Sequence, residues 1–223
     1  MTQPPIDVSD FGMDPTSVPA GLATNLQAIR DGGFSQVMLS ARGVAGHDGG
    51  LEAAAKLVRD SGLRVSGFQV LRDFEGLSGH LHDYKIDVAK SMLEMCKAVG
   101  SKLLLVCSST STHATTDLDA MARDLRKLAM LALPLGIKVA FEGLSWGRTV
   151  NEFPQAWDLV CRADAPNLGL ALDSFHAFAT KTPLEELEDL DPDRIFFVQL
   201  ADFMWQEIRS VEERITTARH FRV

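Results

Sequence analysis

The stretch Leu118-Asp-Ala-Met-Ala-Arg-Asp-Leu-Arg-Lys-Leu-Ala-Met-Leu-Ala-Leu-Pro-Leu-Gly136-Ile-Lys-Val-Ala-Phe-Glu142 contains the unit from which the fold is read. Leu118, Met121, Leu125, Leu128 and Ala132 recur at helical spacing and define one apolar face. Gly136 stands where a helix closes on a left-handed residue. Lys138 to Glu142 is a short apolar run ending in an acid, which reads as a buried strand. The same order recurs along the chain. Leu51, Ala54, Ala55 and Val58 precede Gly62, and Val88, Met92, Met95, Cys96 and Val99 precede Gly100, while Gly32-Gly33 closes an earlier helix. Candidate strands are Ile6 to Phe11, Gln36 to Ser40, Arg64 to Val70, Lys102 to Cys107, Lys138 to Glu142, Leu168 to Leu172 and Ile195 to Leu200.

Strands alternating with helices on a repeat of about 30 residues pair in parallel through right-handed crossovers, so the class is α/β. An open doubly wound sheet and a closed (β/α)8 TIM barrel both satisfy that pattern. No Gly-rich dinucleotide fingerprint follows the first strand and no P-loop occurs, which favours the barrel. Residues 1–223 are expected to form a single TIM-barrel domain. Such barrels take about 250 residues. Only seven strands are read here, and 201–219 is polar and only partly helical in pattern. The domain is therefore expected to be C-terminally incomplete, lacking its last βα unit.

The 223 residues are 46% hydrophobic and 23% charged, which excludes disorder as the main state. The 22 basic and 30 acidic residues leave a net charge of −8, the wrong sign for a general nucleic-acid binder. The longest apolar runs are far shorter than the ~20 residues of a membrane span. Cys96, Cys107 and Cys161 lack CxxC spacing and are expected to be core thiols in a reducing compartment. With no basic, apolar leader visible, the expected location is the cytoplasm.

In a barrel the chemistry lies at the C-terminal strand ends. Glu142 ends one strand, Asp173 follows another in Leu168-Gly-Leu-Ala-Leu-Asp173, and Gln199 and Asp202 close Phe196-Phe-Val-Gln199-Leu-Ala-Asp202. Two buried acids and an amide oxygen around one point call for a divalent cation, with oxygen donors favouring Mg²⁺ or Mn²⁺ over Co²⁺ or Zn²⁺. The competing reading makes the acids helix N-caps. His176, three residues after Asp173, suits proton transfer near neutral pH. Arg72 suits a substrate carboxylate, or pairing with the neighbouring acids. Arg148 adds a second cation, with Glu142 as an alternative partner, and Trp146 an aromatic wall. His47, His80, His82 and His113 read as solvated.

Phe68-Gln-Val-Leu-Arg-Asp-Phe-Glu75, Phe141-Glu-Gly-Leu-Ser-Trp-Gly-Arg148, Leu172-Asp-Ser-Phe-His176, Phe197-Val-Gln-Leu-Ala-Asp202 and Ala218-Arg-His-Phe-Arg222 resemble the xylose isomerase-like TIM barrels, the sugar phosphate isomerase/epimerase superfamily. Within it the resemblance is nearest to bacterial 3-dehydroshikimate dehydratases. It implies a metal held by Glu142, Asp173 and Gln199, with a fourth ligand, a glutamate, falling beyond Val223. It further implies loss of water from 3-dehydroshikimate to give protocatechuate, with His176 moving the proton, Arg72 holding the ring carboxylate, and Arg148, Trp146 and Asp202 completing the substrate site. Thr149 stands where relatives often place a histidine. A sugar phosphate or hydroxy-acid isomerase or epimerase would use the same metal site. A zinc-dependent DNA-repair endonuclease is disfavoured by the charge and the few strand-end histidines, and a truncated barrel acting as a binding module remains a third class. The expected partner is a small carboxylate or sugar-like substrate, with no nucleic acid and no membrane. Strand edges left unpaired by truncation are expected to drive homo-oligomerisation or aggregation.

Overall fold

The computed structural model describes residues 7–8, 11–18, 20–203 and 208–221. Strands and helices alternate: β1 (Gly12–Met13), α1 (Leu22–Asp31), β2 (Gln36–Ser40), α2 (Ala41–Ala45), α3 (Gly50–Asp60), β3 (Arg64–Arg72), α4 (Gly79–Val99), β4 (Leu103–Cys107), α5 (Leu118–Ala132), β5 (Lys138–Glu142), α6 (Phe153–Ala163), β6 (Leu168–Asp173), α7 (Ser174–Thr180), β7 (Ile195–Gln199) and α8 (Val211–His220). Strand order follows chain order from β1 to β7, the order a β/α barrel requires. The chain forms two compact units, Met1–Val70 with Ser91–Leu104, and Leu71–Lys90 with Leu105–Val223.

In the first unit β1, β2 and β3 pair in parallel, with Gly12 opposite Gln36 and Gln36 opposite Arg64. Val37, Met38 and Leu39 are buried on both faces of the sheet, as a parallel strand under helices must be. Ala54, Ala55 and Val58 form the buried stripe of α3. A Cβ at Gly67 would lie 2.8 Å from the Met38 sulfur, so the Met38 side chain fills the space this glycine leaves.

In the second unit β5, β6 and β7 pair in parallel, and Asp173 stands opposite Gln199. The expected stripe of α5 is buried at Met121, Leu125, Leu128 and Ala132, with Leu118 at its edge. Asp117 caps that helix by accepting from the Asp119 and Ala120 N–H groups. The buried Asn167 amide donates to the carbonyls of Ala129 and Ile137, which ties α5 to the start of β5. Gly33, Gly62, Gly100 and Gly136 are left-handed, as the helix-to-strand junctions predict.

Several boundaries and environments differ from the sequence reading. Among the described residues the first strand is Gly12–Met13; of the expected strand Ile6 to Phe11, Asp7, Val8 and Phe11 are not in strand, and Ile6, Ser9 and Asp10 lie outside the described residues. At Gly12 a Cβ would come 3.1 Å from that of Gln36, so the close approach to β2 starts at the residue without one. The third strand runs to Arg72, and the last stops at Gln199. Cys161 is exposed because it falls off the Phe153, Ala156, Val160 and Ala163 stripe of α6. His82 is not solvated. Its ring packs against Phe74 and lies 3.8 Å from the Asp124 carboxylate.

Candidate metal centre at the strand ends

Glu142 is the last residue of β5 and is 4% exposed. Its carbonyl accepts the Ser108 N–H at 2.8 Å, and its carboxylate Oε2 accepts the Cys107 S–H at 2.9 Å. Cys107 closes β4 and is buried. Burial pushes its thiol far above the ordinary range, the Glu142 charge adds to the shift, and the Arg72 cation opposes it. The thiol therefore remains a donor and fixes one oxygen of Glu142.

Asp173 closes β6 and caps α7 at once. Its Oδ1 accepts the Phe175 N–H at 2.9 Å, while Oδ2 lies 3.8 Å from His176 Nε2. Oδ1 thus serves as the helix cap, while Oδ2 faces the imidazole. His176 is 5% exposed, and its Nδ1 accepts the Ser145 N–H at 3.2 Å beside the Ser145 hydroxyl at 3.0 Å. A neutral imidazole that accepts at Nδ1 carries its proton at Nε2, the nitrogen facing Asp173. The rings of Trp146 and Phe175 meet it edge-on at 5.1 and 5.2 Å. Arg214, on α8, donates to the Ser145 carbonyl at 2.8 Å and so steadies the residue that orients the imidazole.

Ligand-capable atoms of Glu142, Asp173 and His176 lie within 4.8 Å of one another, all three residues being buried. The two carboxylates suit a divalent cation, and the imidazole Nε2–H facing Asp173 stands beside them as a proton donor. Gln199, the register partner of Asp173, stands at the same level of the sheet. An adjoining cavity of about 180 Å³ is lined by Glu142, Asp173 and His176 and by the apolar Phe178, Leu187 and Leu200. A larger open groove of about 370 Å³, beside Arg123 and His113, contains none of the strand-end residues.

The remaining predicted residues sit less centrally. Arg72 is exposed at the end of β3, with its charge felt at Cys107. Arg148 is exposed, and its guanidinium donates to the Ser111 carbonyl. The Asp202 carboxylate accepts its neighbour Phe203 N–H and is exposed. Cys107, Ser145 and Arg214 escaped the sequence reading, since each acts through a partner at least 31 residues away in the chain.

This chain belongs to the xylose isomerase-like TIM barrel family, whose profile matches residues 26–221. Among curated proteins it is 37% identical over 206 residues to 3-dehydroshikimate dehydratase of Pseudomonas aeruginosa, covering 92% of this chain and 32% of that protein. Inosose isomerase of Bacillus licheniformis is 34% identical over 125 residues, 54% of this chain and 45% of that one. The chain spans about a third of the length of the dehydratases it matches. Among solved structures, a xylose isomerase-like TIM barrel/4-hydroxyphenylpyruvate dioxygenase fusion protein superposes with a TM-score of 0.88 at 32% identity, over 95% of this chain and 34% of that one. The IOLI protein, with a bound zinc atom, superposes at 0.77 with 23% identity, over 88% and 74% of the two chains, a likeness of fold.

Proposed function

We propose that this chain is a metal-dependent lyase that removes water from 3-dehydroshikimate to give protocatechuate. The observation that carries the reading is its 37% identity, over 92% of its length, to a dehydratase of that name. The buried cluster at the strand ends supports it. Glu142, Asp173 and Gln199 would hold the cation. Mg²⁺ or Mn²⁺ suits those oxygen donors best, and the zinc in the IOLI protein keeps Zn²⁺ within range. When bound, the cation supplies Lewis acidity to a carbonyl oxygen of the substrate. His176, held at Nδ1 by Ser145, carries its proton at Nε2 and would act from there as the proton-transfer residue, giving that proton to the reacting substrate oxygen. Arg72 binds the ring carboxylate with parallel hydrogen bonds, Arg148 supplies a second cation, and Trp146 walls the ring. The three free cysteines support a reducing, cytoplasmic setting.

Isomerisation of an inosose is the second reading, favoured by the identity to inosose isomerase. Both reactions begin with proton removal beside a carbonyl, and Arg72 separates them, because only a carboxylate substrate needs that guanidinium. The test is incubation with 3-dehydroshikimate and Mn²⁺ or Mg²⁺, following the ultraviolet absorbance of an aromatic product. Aromatisation that a chelator abolishes and Mn²⁺ restores is expected. Conversion of an inosose with no aromatic product would overturn the dehydratase reading in favour of the isomerase. A chain that binds no Mn²⁺ and converts neither would be a binding module.

A further inference from the structure

Glu75 follows β3 in Arg72-Asp-Phe-Glu75, and its carboxyl takes no part in the site proposed above. The residue is fully buried. One carboxyl oxygen accepts the Ser109 N–H; the other is sealed from solvent with no hydrogen-bond partner among the described residues. A buried carboxyl left in this state is costly unless the fold gains something from it.

The carboxyl is directed at one loop. Asp73, held in the left-handed region at φ 51°, accepts the Thr110 N–H at 2.7 Å and the hydroxyls of Ser109 and Thr110. Asp124 accepts the Gly76 N–H at 2.8 Å and lies 3.8 Å from His82, which Lys127 approaches at 3.3 Å. The loop so held grips the end of β5 in turn. The Ser108 N–H reaches the Glu142 carbonyl, the Ser108 hydroxyl accepts the Leu144 N–H at 2.9 Å, and the Ser109 carbonyl accepts the Arg148 N–H at 2.9 Å.

We propose that Glu75 is a positioning residue: its carboxyl pins Ser109 and, through the loop at 108–111, fixes the end of β5 that presents Glu142 and Arg148. The consequence for function rests on reading Glu142 as a metal ligand. Burial pushes the Glu75 carboxyl up to about 8, Asp73 and Asp124 raise it further, and backbone N–H groups oppose the shift. At neutral pH the clamp is therefore an uncharged acid. Above that value an anion would form between two other carboxylates, and the loop would loosen to solvate it.

The test compares the wild type with Glu75→Gln, which keeps an acceptor but cannot ionise, and Glu75→Leu, which removes it. Hydrogen exchange at the Ser109 amide and calorimetric Mn²⁺ affinity are read near pH 6.5, and affinity again near pH 9. Glu75→Gln should match the wild type near pH 6.5 and keep its Mn²⁺ affinity near pH 9, where the wild type weakens by about fivefold or more. Glu75→Leu should exchange the Ser109 amide roughly tenfold faster and bind Mn²⁺ roughly tenfold more weakly at both pH values. An unchanged Ser109 amide in Glu75→Leu would overturn the proposal. Should that variant not fold, identical pH dependence in the wild type and Glu75→Gln overturns it. If the wild type binds no Mn²⁺ at all, the metal reading fails, and the Ser109 amide alone decides the clamp.

Discussion

At the scale of single residues, each of the two site carboxylates gives one oxygen to a donor of the fold, Glu142 Oε2 to the Cys107 thiol and Asp173 Oδ1 to the Phe175 N–H. Cys107 gives its S–H to Glu142. Cys107→Ala should weaken Mn²⁺ binding by about three- to tenfold in a calorimetric titration, and Cys107→Ser, which restores a donor, should recover most of the loss. Arg72→Ala should raise KM for 3-dehydroshikimate by roughly 10- to 100-fold with little change in Mn²⁺ affinity, which steady-state kinetics would read. The acids were legible in the sequence because a strand-end position is a local property of an apolar run. Their partners were not. Nothing near Cys107 in the chain announces a contact with Glu142, and Arg214 sits in a segment that reads as merely polar until α8 brings it to Ser145. The tautomer of His176 is likewise set by a backbone N–H from another loop.

At the scale of elements, periodicity carried most of the weight. The stripes of α3 and α5 and the left-handed glycines emerged where the spacing put them, because helix faces and junctions depend on short-range geometry. The first strand did not, since its pairing is decided by which residue can approach β2 closely. Close approach also makes β6 fragile. A Cβ at Gly169 would lie 2.3 Å from the Arg194 carbonyl, so Gly169→Ala should cost about 2–4 kcal/mol in denaturant unfolding. Asn167→Ala removes the side-chain donations to the Ala129 and Ile137 carbonyls and should cost about 1–3 kcal/mol in the same experiment.

At the scale of the whole molecule, stability should depend on pH through Glu75. Its folded value of about 8 exceeds the ordinary 4.5, so between those two values the folded chain holds a proton that the unfolded chain has released. The Glu75 contribution is therefore a growing destabilisation as pH rises from 4.5 toward 8, and it is absent below that window. Urea midpoints measured across the range should fall less steeply for Glu75→Gln than for the wild type. Asp173, finally, ends a strand, starts a helix and faces an imidazole. Asparagine there would preserve the helix start while forfeiting the charge, and glutamate would keep the charge while misplacing the cap. Randomising that codon should consequently return aspartate alone under selection for turnover, but a broader set including asparagine and serine when survival demands only a folded polypeptide.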